Sequence, residues 1–166
     1  GAEITGVDIT RDLPDEAIAE LSTALAAFKV IFFREQPLTA ERHVAFARRF
    51  GDLEIHPFFP ANTGEPALVR FEKSAELSGY ENAWHHDVTW REVPSMGAVL
   101  HAITVPEVGG DTLFCDMYAA YDGLDEATKE RVDQLDAVHD YMRAFGMFVA
   151  PDKVDETRAR YPEVTH

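Results

Sequence analysis

The feature that most constrains how this chain can fold is a series of short apolar segments bounded by proline, glycine or polar residues. The clearest is residues 29–33, Lys-Val-Ile-Phe-Phe, where β-branched and aromatic residues follow one another as in a buried strand. Comparable segments predict further strands at residues 53–55, 67–71, 97–104, 112–115 and 137–141. The pattern therefore predicts a β-rich α+β fold, and it lacks the regular βαβ alternation of a doubly wound sheet.

Helices are predicted around this sheet. Asp12 stands where a first helix would begin, and Ile18 and Leu21 recur at helical spacing on its apolar face. Thr39 is the expected N-cap of a second helix. Three side chains of that second helix are expected on its solvent side: His43, Arg48 and Arg49. Further helices are predicted over residues 117–124, 125–135 and 151–161, and Asp125 is the expected N-cap of the second of these.

Length, charge and cysteine content limit the classes of function. The chain has 166 residues, which fits a single domain, 1–166, and no apolar run reaches the roughly eighteen residues that cross a bilayer. Fifteen basic and 30 acidic residues give a formal net charge of −15, which disfavours binding to nucleic acid or anionic membranes. Cys115, the single cysteine, is expected in a buried strand, and with no signal-peptide pattern a cytoplasmic protein is predicted.

Residues 84–90, Trp-His-His-Asp-Val-Thr-Trp, carry the clearest chemical signal. On a strand, side chains two residues apart project to the same face, so His85 and Asp87 can direct one nitrogen and one oxygen at a single point. These are two of the three donors in the 2-His-1-carboxylate arrangement that holds non-haem Fe(II) and leaves coordination positions open. The alternative is that His85 and His86 are ordinary polar residues on a surface strand.

Other chemical signals are fewer. The chain has no Gly-x-Ser-x-Gly elbow and no His-Glu-x-x-His helix, so the common hydrolase sites are absent from its sequence. What remains beside His85 and Asp87 is His56, in a proline-bounded aromatic segment, and Thr112, which follows a Gly-Gly turn.

The segment 84–90 resembles the Trp-His-x-Asp-Val-Thr-Phe/Trp signature of the taurine dioxygenase family of Fe(II)/2-oxoglutarate-dependent enzymes. Four other segments resemble that family in the same order: residues 1–8, 29–34, 56–57, and 109–113 together with 118–121. The resemblance covers essentially the whole chain. It implies a double-stranded β-helix, a cupin-like jelly roll with flanking helices, and an oxidoreductase that uses Fe(II), 2-oxoglutarate and O2.

The resemblance also implies roles for individual residues. His85 and Asp87 match the first two iron ligands at the catalytic centre, whereas His86 is expected on the opposite face of the strand. Thr112 matches a threonine whose hydroxyl helps to hold a carboxylate of 2-oxoglutarate, with a strand threonine of no such role as the alternative. His56 matches the histidine that faces the substrate, and the alternative is a loop histidine exposed to water.

The family pattern is not complete within these residues. The second histidine ligand and the arginine that pairs with 2-oxoglutarate are not matched, because none of His101, His139 and His166 stands in the corresponding context. His166 resembles the start of the family's His-Pro-Val-Val-Arg segment. We therefore expect the chain to supply the N-terminal and central part of one dioxygenase domain, truncated on its C-terminal side.

The substrate site also departs from that of taurine-using members. They carry a tyrosine three positions after the loop histidine and an asparagine four positions before the first iron ligand, where this chain has Phe59 and Glu81. Asn82 lies one residue out of register and can substitute for the amide. These three residues and His56 are the expected substrate contacts. A sulfonate is compatible with them, and taurine itself is disfavoured.

The sequence thus predicts an Fe(II)- and 2-oxoglutarate-dependent dioxygenase that oxidises a small organic substrate and releases succinate and CO2. Its expected partners are small molecules, without nucleic acid or membrane, and a homo-oligomer is compatible with the sequence. Two alternatives remain open at this point. One is a degenerate β-helix domain that acts by binding, and the other is a redox-silent metal hydrolase.

Overall fold

The computed structural model describes residues 1–56, 64–72 and 83–166. They belong to two units, unit 1 from Gly1–Tyr80 with Ala98–Asp116 and unit 2 from Glu81–Gly97 with Met117–His166. The strands are β1 (Ala2–Ile4), β2 (Ile31–Phe33), β3 (Val138–His139) and β4 (Val164–Thr165). The α-helices are α1 (Asp15–Phe28), α2 (Ala40–Arg48), α3 (Met117–Asp122), α4 (Glu126–Val132), α5 (Tyr141–Phe145) and α6 (Val154–Arg160), with 3-10 turns at Gly146–Phe148 and Pro151–Lys153. Over the described ranges, no helix is both long and apolar enough to traverse a bilayer.

In unit 1, helix α1 connects two parallel strands. β1 and β2 pair in register, with Ala2 opposite Ile31 and Ile4 opposite Phe33. The predicted apolar face of α1 is confirmed, since Ile18 and Leu21 are buried there at helical spacing. The core of this unit is a cluster of four buried side chains: Ile9, Ile18, Leu21 and Phe46.

The ends of α1 differ from the prediction. Pro14 occupies the N-cap position and no side chain caps the helix there. Asp12, the expected cap, instead accepts a hydrogen bond from the Arg42 guanidinium at 3.0 Å. The prediction was wrong because the next residue but one is proline, which starts the helix later and lacks the N–H that a cap would satisfy. At the C-terminal end, Lys29 has a φ of 67°, in the left-handed region that favours glycine.

Helix α2 begins as predicted but buries a residue that was expected in solvent. The Thr39 hydroxyl oxygen accepts a hydrogen bond from Arg42 N at 3.3 Å, which confirms the cap. Arg48 and Arg49 are exposed, also as predicted. His43 is buried, and its Nε2–H donates to the Val99 carbonyl at 2.8 Å. The long-range backbone partner makes the imidazole part of the core, which its helical position alone did not reveal.

Unit 2 is built around an aromatic cluster. Tyr141 is 1% exposed, and Trp90 and Tyr161 pack against it with ring centroids 5.3 and 5.2 Å away. Strands β3 and β4 form an antiparallel pair, with Val138 opposite Thr165 and His139 opposite Val164. Asp125 accepts from Thr128 N at 2.9 Å, which confirms the predicted cap of α4.

Four of the predicted strands are not observed. Residues 53–55, 67–71, 97–104 and 112–115 have no strand conformation, and the sheets among the described residues are two two-stranded pairs. A strand needs a neighbouring backbone to pair with, and these segments lack one within the part of the chain that the structure covers. Leu100, Ile103 and Leu113 are consequently exposed. Cys115 is exposed as well, so its predicted burial in a strand was wrong.

Candidate metal centre

The candidate metal-binding motif, residues 84–90, leads into a turn and includes no strand. Residues 87–90 form the turn, in which Arg91 N donates to the Val88 carbonyl at 3.0 Å. Val88 has a φ of 50°, in the left-handed region. A β-branched residue in that region is a genuine outlier, and it stands directly after Asp87. The predicted strand geometry was therefore wrong, although the two side chains it was meant to join do converge.

The His85 ring is oriented by the backbone just before it. Its Nδ1 lies 2.9 Å from the Ala83 carbonyl oxygen. Because a carbonyl can only accept, Nδ1 carries the proton and donates. In the neutral imidazole this leaves the lone pair on Nε2, which is the tautomer that a metal requires from a histidine whose other nitrogen is hydrogen-bonded.

Nε2 of His85 lies 3.4 Å from Oδ1 of Asp87. In a neutral imidazole with its proton on Nδ1 and in a carboxylate, Nε2 and Oδ1 both carry lone pairs. The two atoms therefore repel each other unless a cation, either a proton or a metal ion, is held between them. Two donors that each bind one ion at about 2.0–2.2 Å in neighbouring coordination positions lie roughly 3 Å apart. The two side chains are 56% and 75% exposed, which leaves room for further ligands. The pair therefore has the donor chemistry and the spacing of two metal ligands.

The residues around the pair have different surroundings. His86 is exposed, and its Nδ1 lies 3.0 Å from the Asp87 carbonyl oxygen, so it is directed at the backbone and not at the pair. Trp84 is exposed. Trp90 is buried, and it anchors the end of the turn in the aromatic cluster of unit 2.

The other residues expected at the site lie in other segments of the chain. His56 is half-buried in a segment without helix or strand, and Thr112 is exposed in a loop. Gly109 and Gly110 both have positive φ, 79° and 75°, which confirms the predicted turn before Thr112. His56 and Thr112 belong to unit 1, whereas His85 and Asp87 belong to unit 2. The remaining expected substrate contacts fall outside the described residues: Phe59, Glu81 and Asn82.

Among residues 1–56, 64–72 and 83–166, no three histidine, cysteine or acidic side chains are grouped so as to hold a metal. The sequence-based interpretation missed a different feature next to the pair. His139 Nδ1 lies 2.8 Å from the Thr89 hydroxyl oxygen, and His166 Nε2 lies 2.9 Å from the Thr89 carbonyl oxygen. Both histidines therefore bond the turn that follows Asp87. Their proximity depends on the pairing of β3 with β4, for which the sequence offers no local signal.

Comparison with known proteins identifies the family. The model of the taurine catabolism dioxygenase TauD, TfdA family matches residues 1–166. The chain belongs to this family.

Individual relatives are similar over most of this chain. An (S)-phenoxypropionate/alpha-ketoglutarate-dioxygenase of Sphingobium herbicidovorans is 42% identical, over 84% of this chain and 50% of its own length. An alpha-ketoglutarate-dependent sulfate ester dioxygenase of Pseudomonas putida is 36% identical, over 84% and 46%. The crystal structure of a taurine dioxygenase from Burkholderia xenovorans superimposes with a TM-score of 0.70 at 37% identity, over 84% of this chain and 49% of that one. The chain thus spans about half the length of the curated relatives it matches.

Proposed function

We propose that this protein is an Fe(II)- and 2-oxoglutarate-dependent dioxygenase that oxidises a small organic substrate carrying an anionic group. The observation that carries the proposal is the 3.4 Å approach of His85 Nε2 to Asp87 Oδ1, with the other ring nitrogen of His85 committed to the Ala83 carbonyl. Membership of the family and the names of the relatives support it.

His85 and Asp87 are the proposed iron ligands. The bound iron would supply the oxidation, in which 2-oxoglutarate and O2 are consumed and succinate and CO2 are released. In this scheme the chain's own residues bind and orient. The Ala83 carbonyl keeps the His85 lone pair directed outward, and the turn at residues 87–90 holds the Asp87 carboxylate beside it.

Thr112 is proposed to hold a carboxylate of 2-oxoglutarate. Its hydroxyl is exposed and follows two glycines in the left-handed region, where the backbone leaves space for a ligand to approach. A hydroxyl can donate to a carboxylate oxygen from such a position.

The substrate class is proposed from the relatives and from charge. Three relatives are named for their substrates, which are phenoxypropionate, a sulfate ester and taurine. Each of these molecules carries a carboxylate, sulfate or sulfonate group. With a net charge of −15, this protein repels such anions at long range and needs a local donor to bind one. His56 is the proposed donor, with Phe59, Glu81 and Asn82 as further substrate contacts. The replacement of a phenol by Phe59 and of an amide by Glu81 favours a substrate other than taurine.

The third iron ligand and the arginine that pairs with 2-oxoglutarate are proposed to lie in the part of the family's length that residues 1–166 do not span. The same holds for the fold. We propose that the whole protein forms a double-stranded β-helix, in which the exposed apolar segment at residues 98–114 gains the strand partners it lacks among the described residues.

Anaerobic titration of the full-length protein with Fe(II) and then 2-oxoglutarate tests this function. A visible charge-transfer band is expected when 2-oxoglutarate chelates the bound iron, followed by succinate formation when O2 and a substrate are admitted. Candidate substrates are an alkyl sulfate ester, an alkyl sulfonate, taurine and a phenoxypropionate. If neither the band nor succinate formed with any of them, the dioxygenase proposal would be rejected.

The alternative is a domain of the same fold that acts by binding alone. The grouping of only two metal-type donors among the described residues favours it. The same titration separates the two, because a binding domain would retain small-molecule affinity without the band and without succinate.

A further inference from the structure

We propose that His139 is a positioning residue for the metal pair, which it serves by holding, through Thr89, the turn that begins at Asp87. This inference rests on the proposed function, since it assigns a role toward the metal that the pair would bind. His139 and His166 are together called the histidine clamp below.

The turn needs to be held because its conformation is unfavourable by itself. Val88 has a φ of 50°, and for a β-branched residue the left-handed region costs roughly 1–2 kcal/mol. Asp87 is 75% exposed, so its own side chain has little packing to fix it. The direction of the carboxylate therefore depends on the backbone that carries it, and Asp87 is the first residue of the turn.

The histidine clamp contacts this backbone at the positions that follow Val88. His139 Nδ1 lies 2.8 Å from Thr89 Oγ1. His166 Nε2 lies 2.9 Å from the Thr89 carbonyl oxygen and 3.1 Å from that of Arg91. Because both of these partners are acceptors, the Nε2–H of His166 donates to the two carbonyls together. The side chain and the backbone of Thr89 are thus bonded from two directions.

The histidine clamp is itself held in place by backbone pairing and ring packing. His139 lies on β3, and His166 directly follows β4, whose pairing with β3 is extended by hydrogen bonds between Ala137 and His166, N to O, at 2.8 and 3.0 Å. The two imidazole rings pack edge to face with centroids 5.1 Å apart. Trp90, the residue after Thr89, is buried, and its ring packs against the rings of Tyr141 and Tyr161. Residues 89–91 are therefore attached to segments that are distant in the sequence, and they in turn hold Val88 and Asp87.

His139 is the better residue to substitute. It is half-buried and borders an open surface pocket, so truncating it removes less packing than truncating a core residue would. His139→Ala removes the bond to Thr89. His139→Asn places an amide group near the position of Nδ1 and restores it, whereas the longer amide of His139→Gln reaches the position of Nε2 and does not. Thr89→Val removes the hydroxyl from the other side with little change of shape.

The experiment measures two quantities on the full-length protein and these variants. One is the Kd for Mn(II), from the electron paramagnetic resonance signal of the free ion. The other is amide hydrogen exchange in residues 87–91 without metal. His139→Ala, His139→Gln and Thr89→Val are each expected to weaken Mn(II) binding by about tenfold and to speed exchange in the turn, with His139→Asn close to wild type. The double variant His139→Ala/Thr89→Val is expected to lose no more than either single one.

Each contrary result has a distinct meaning. If amide exchange in the turn became faster in His139→Ala while the Kd for Mn(II) stayed unchanged, His139 would have a structural role only. That result would overturn the inference. An equal loss of affinity in His139→Asn and His139→Gln would show that the bond to Thr89 is not the cause, and it too would overturn the inference. If the wild-type protein bound no Mn(II), the proposed function would fail first, and the positioning role would fail with it.

Discussion

His85 Nε2 lies 3.4 Å from Asp87 Oδ1, and the residue that follows the pair, Val88, has a φ of 50°. The two donors converge even though the segment is not a strand. An irregular segment can thus place a nitrogen and an oxygen as close together as strand alternation does. In the proposed positioning role of His139, the pair would also depend on parts of unit 2 outside its own seven-residue motif.

Substitutions at His85, Asp87 and His86 test which residues of the motif are metal ligands. His85→Ala and Asp87→Ala are expected to abolish Fe(II) binding by the full-length protein, because each removes one of the donors. His86→Ala is the matched control, since His86 is exposed and its Nδ1 faces the Asp87 carbonyl. It should retain most of the affinity in an anaerobic titration. An equal loss in all three variants would contradict the assignment of His85 over His86.

The buried histidine of α2 contributes to the stability of unit 1. His43→Leu leaves the Val99 carbonyl without its donor and is expected to lower the free energy of unfolding by roughly 1–3 kcal/mol. His43→Gln, whose amide nitrogen can reach the same acceptor, should cost less. Urea denaturation followed by circular dichroism gives both values. Equal stability of the Leu and Gln variants would show that the hydrogen bond contributes little.

The end of α1 offers a stabilising change. Lys29 has a φ of 67°, so Lys29→Gly is expected to relieve roughly 1 kcal/mol of backbone strain. Lys29 Nζ also donates to the Ala26 carbonyl, and Lys29→Ala removes that bond while keeping the strain. The Gly variant should therefore have a higher urea midpoint than the Ala variant. A higher midpoint for Ala would argue against strain at this position.

Helix α4 is expected to lose stability in acid. Hydrogen bonds from the backbone and hydroxyl of Thr128 hold the pKa of Asp125 below its ordinary value of 3.8. A carboxyl group whose pKa is lower in the folded state stabilises the fold above its unfolded pKa, and that contribution is lost as the pH falls through the folded pKa. Asp125→Asn keeps a capping side chain without a titrating group. The stability difference between wild type and Asp125→Asn should therefore shrink below about pH 4.

A difference that stayed constant from neutral pH to about pH 3 would contradict this assignment. The comparison with Asp125→Asn is required because many other acidic residues titrate in the same range.

The sequence was most informative where structure is decided locally. The caps Thr39 and Asp125 and the apolar face of α1 follow from contacts within a few residues, and all three were predicted correctly. The four unobserved strands show the opposite case. Their composition favours a strand, but composition does not supply the partner backbone that a strand requires.

At the candidate site too, the residue types could be read from the sequence, whereas the geometry could not. The residue types of His85 and Asp87 were the basis for the metal-site prediction, because few side chains bind a non-haem metal. The geometry was not predictable, since valine is among the residues least expected in the left-handed conformation that Val88 adopts. His43 and the histidine clamp were also missed, because each bonds a residue at least 50 positions away in the chain.

The hydrogen bond between His166 and Thr89 joins residues 77 positions apart. During synthesis at about 5–20 residues per second, the turn that carries Asp87 leaves the ribosome roughly 4–15 seconds before the residue that completes its support. Until then the turn lacks the hydrogen bonds from His166 to the carbonyls of Thr89 and Arg91. The motif is therefore synthesised well before the residue that completes its support, and the proposed positioning of Asp87 would be in place only after β4 has been made.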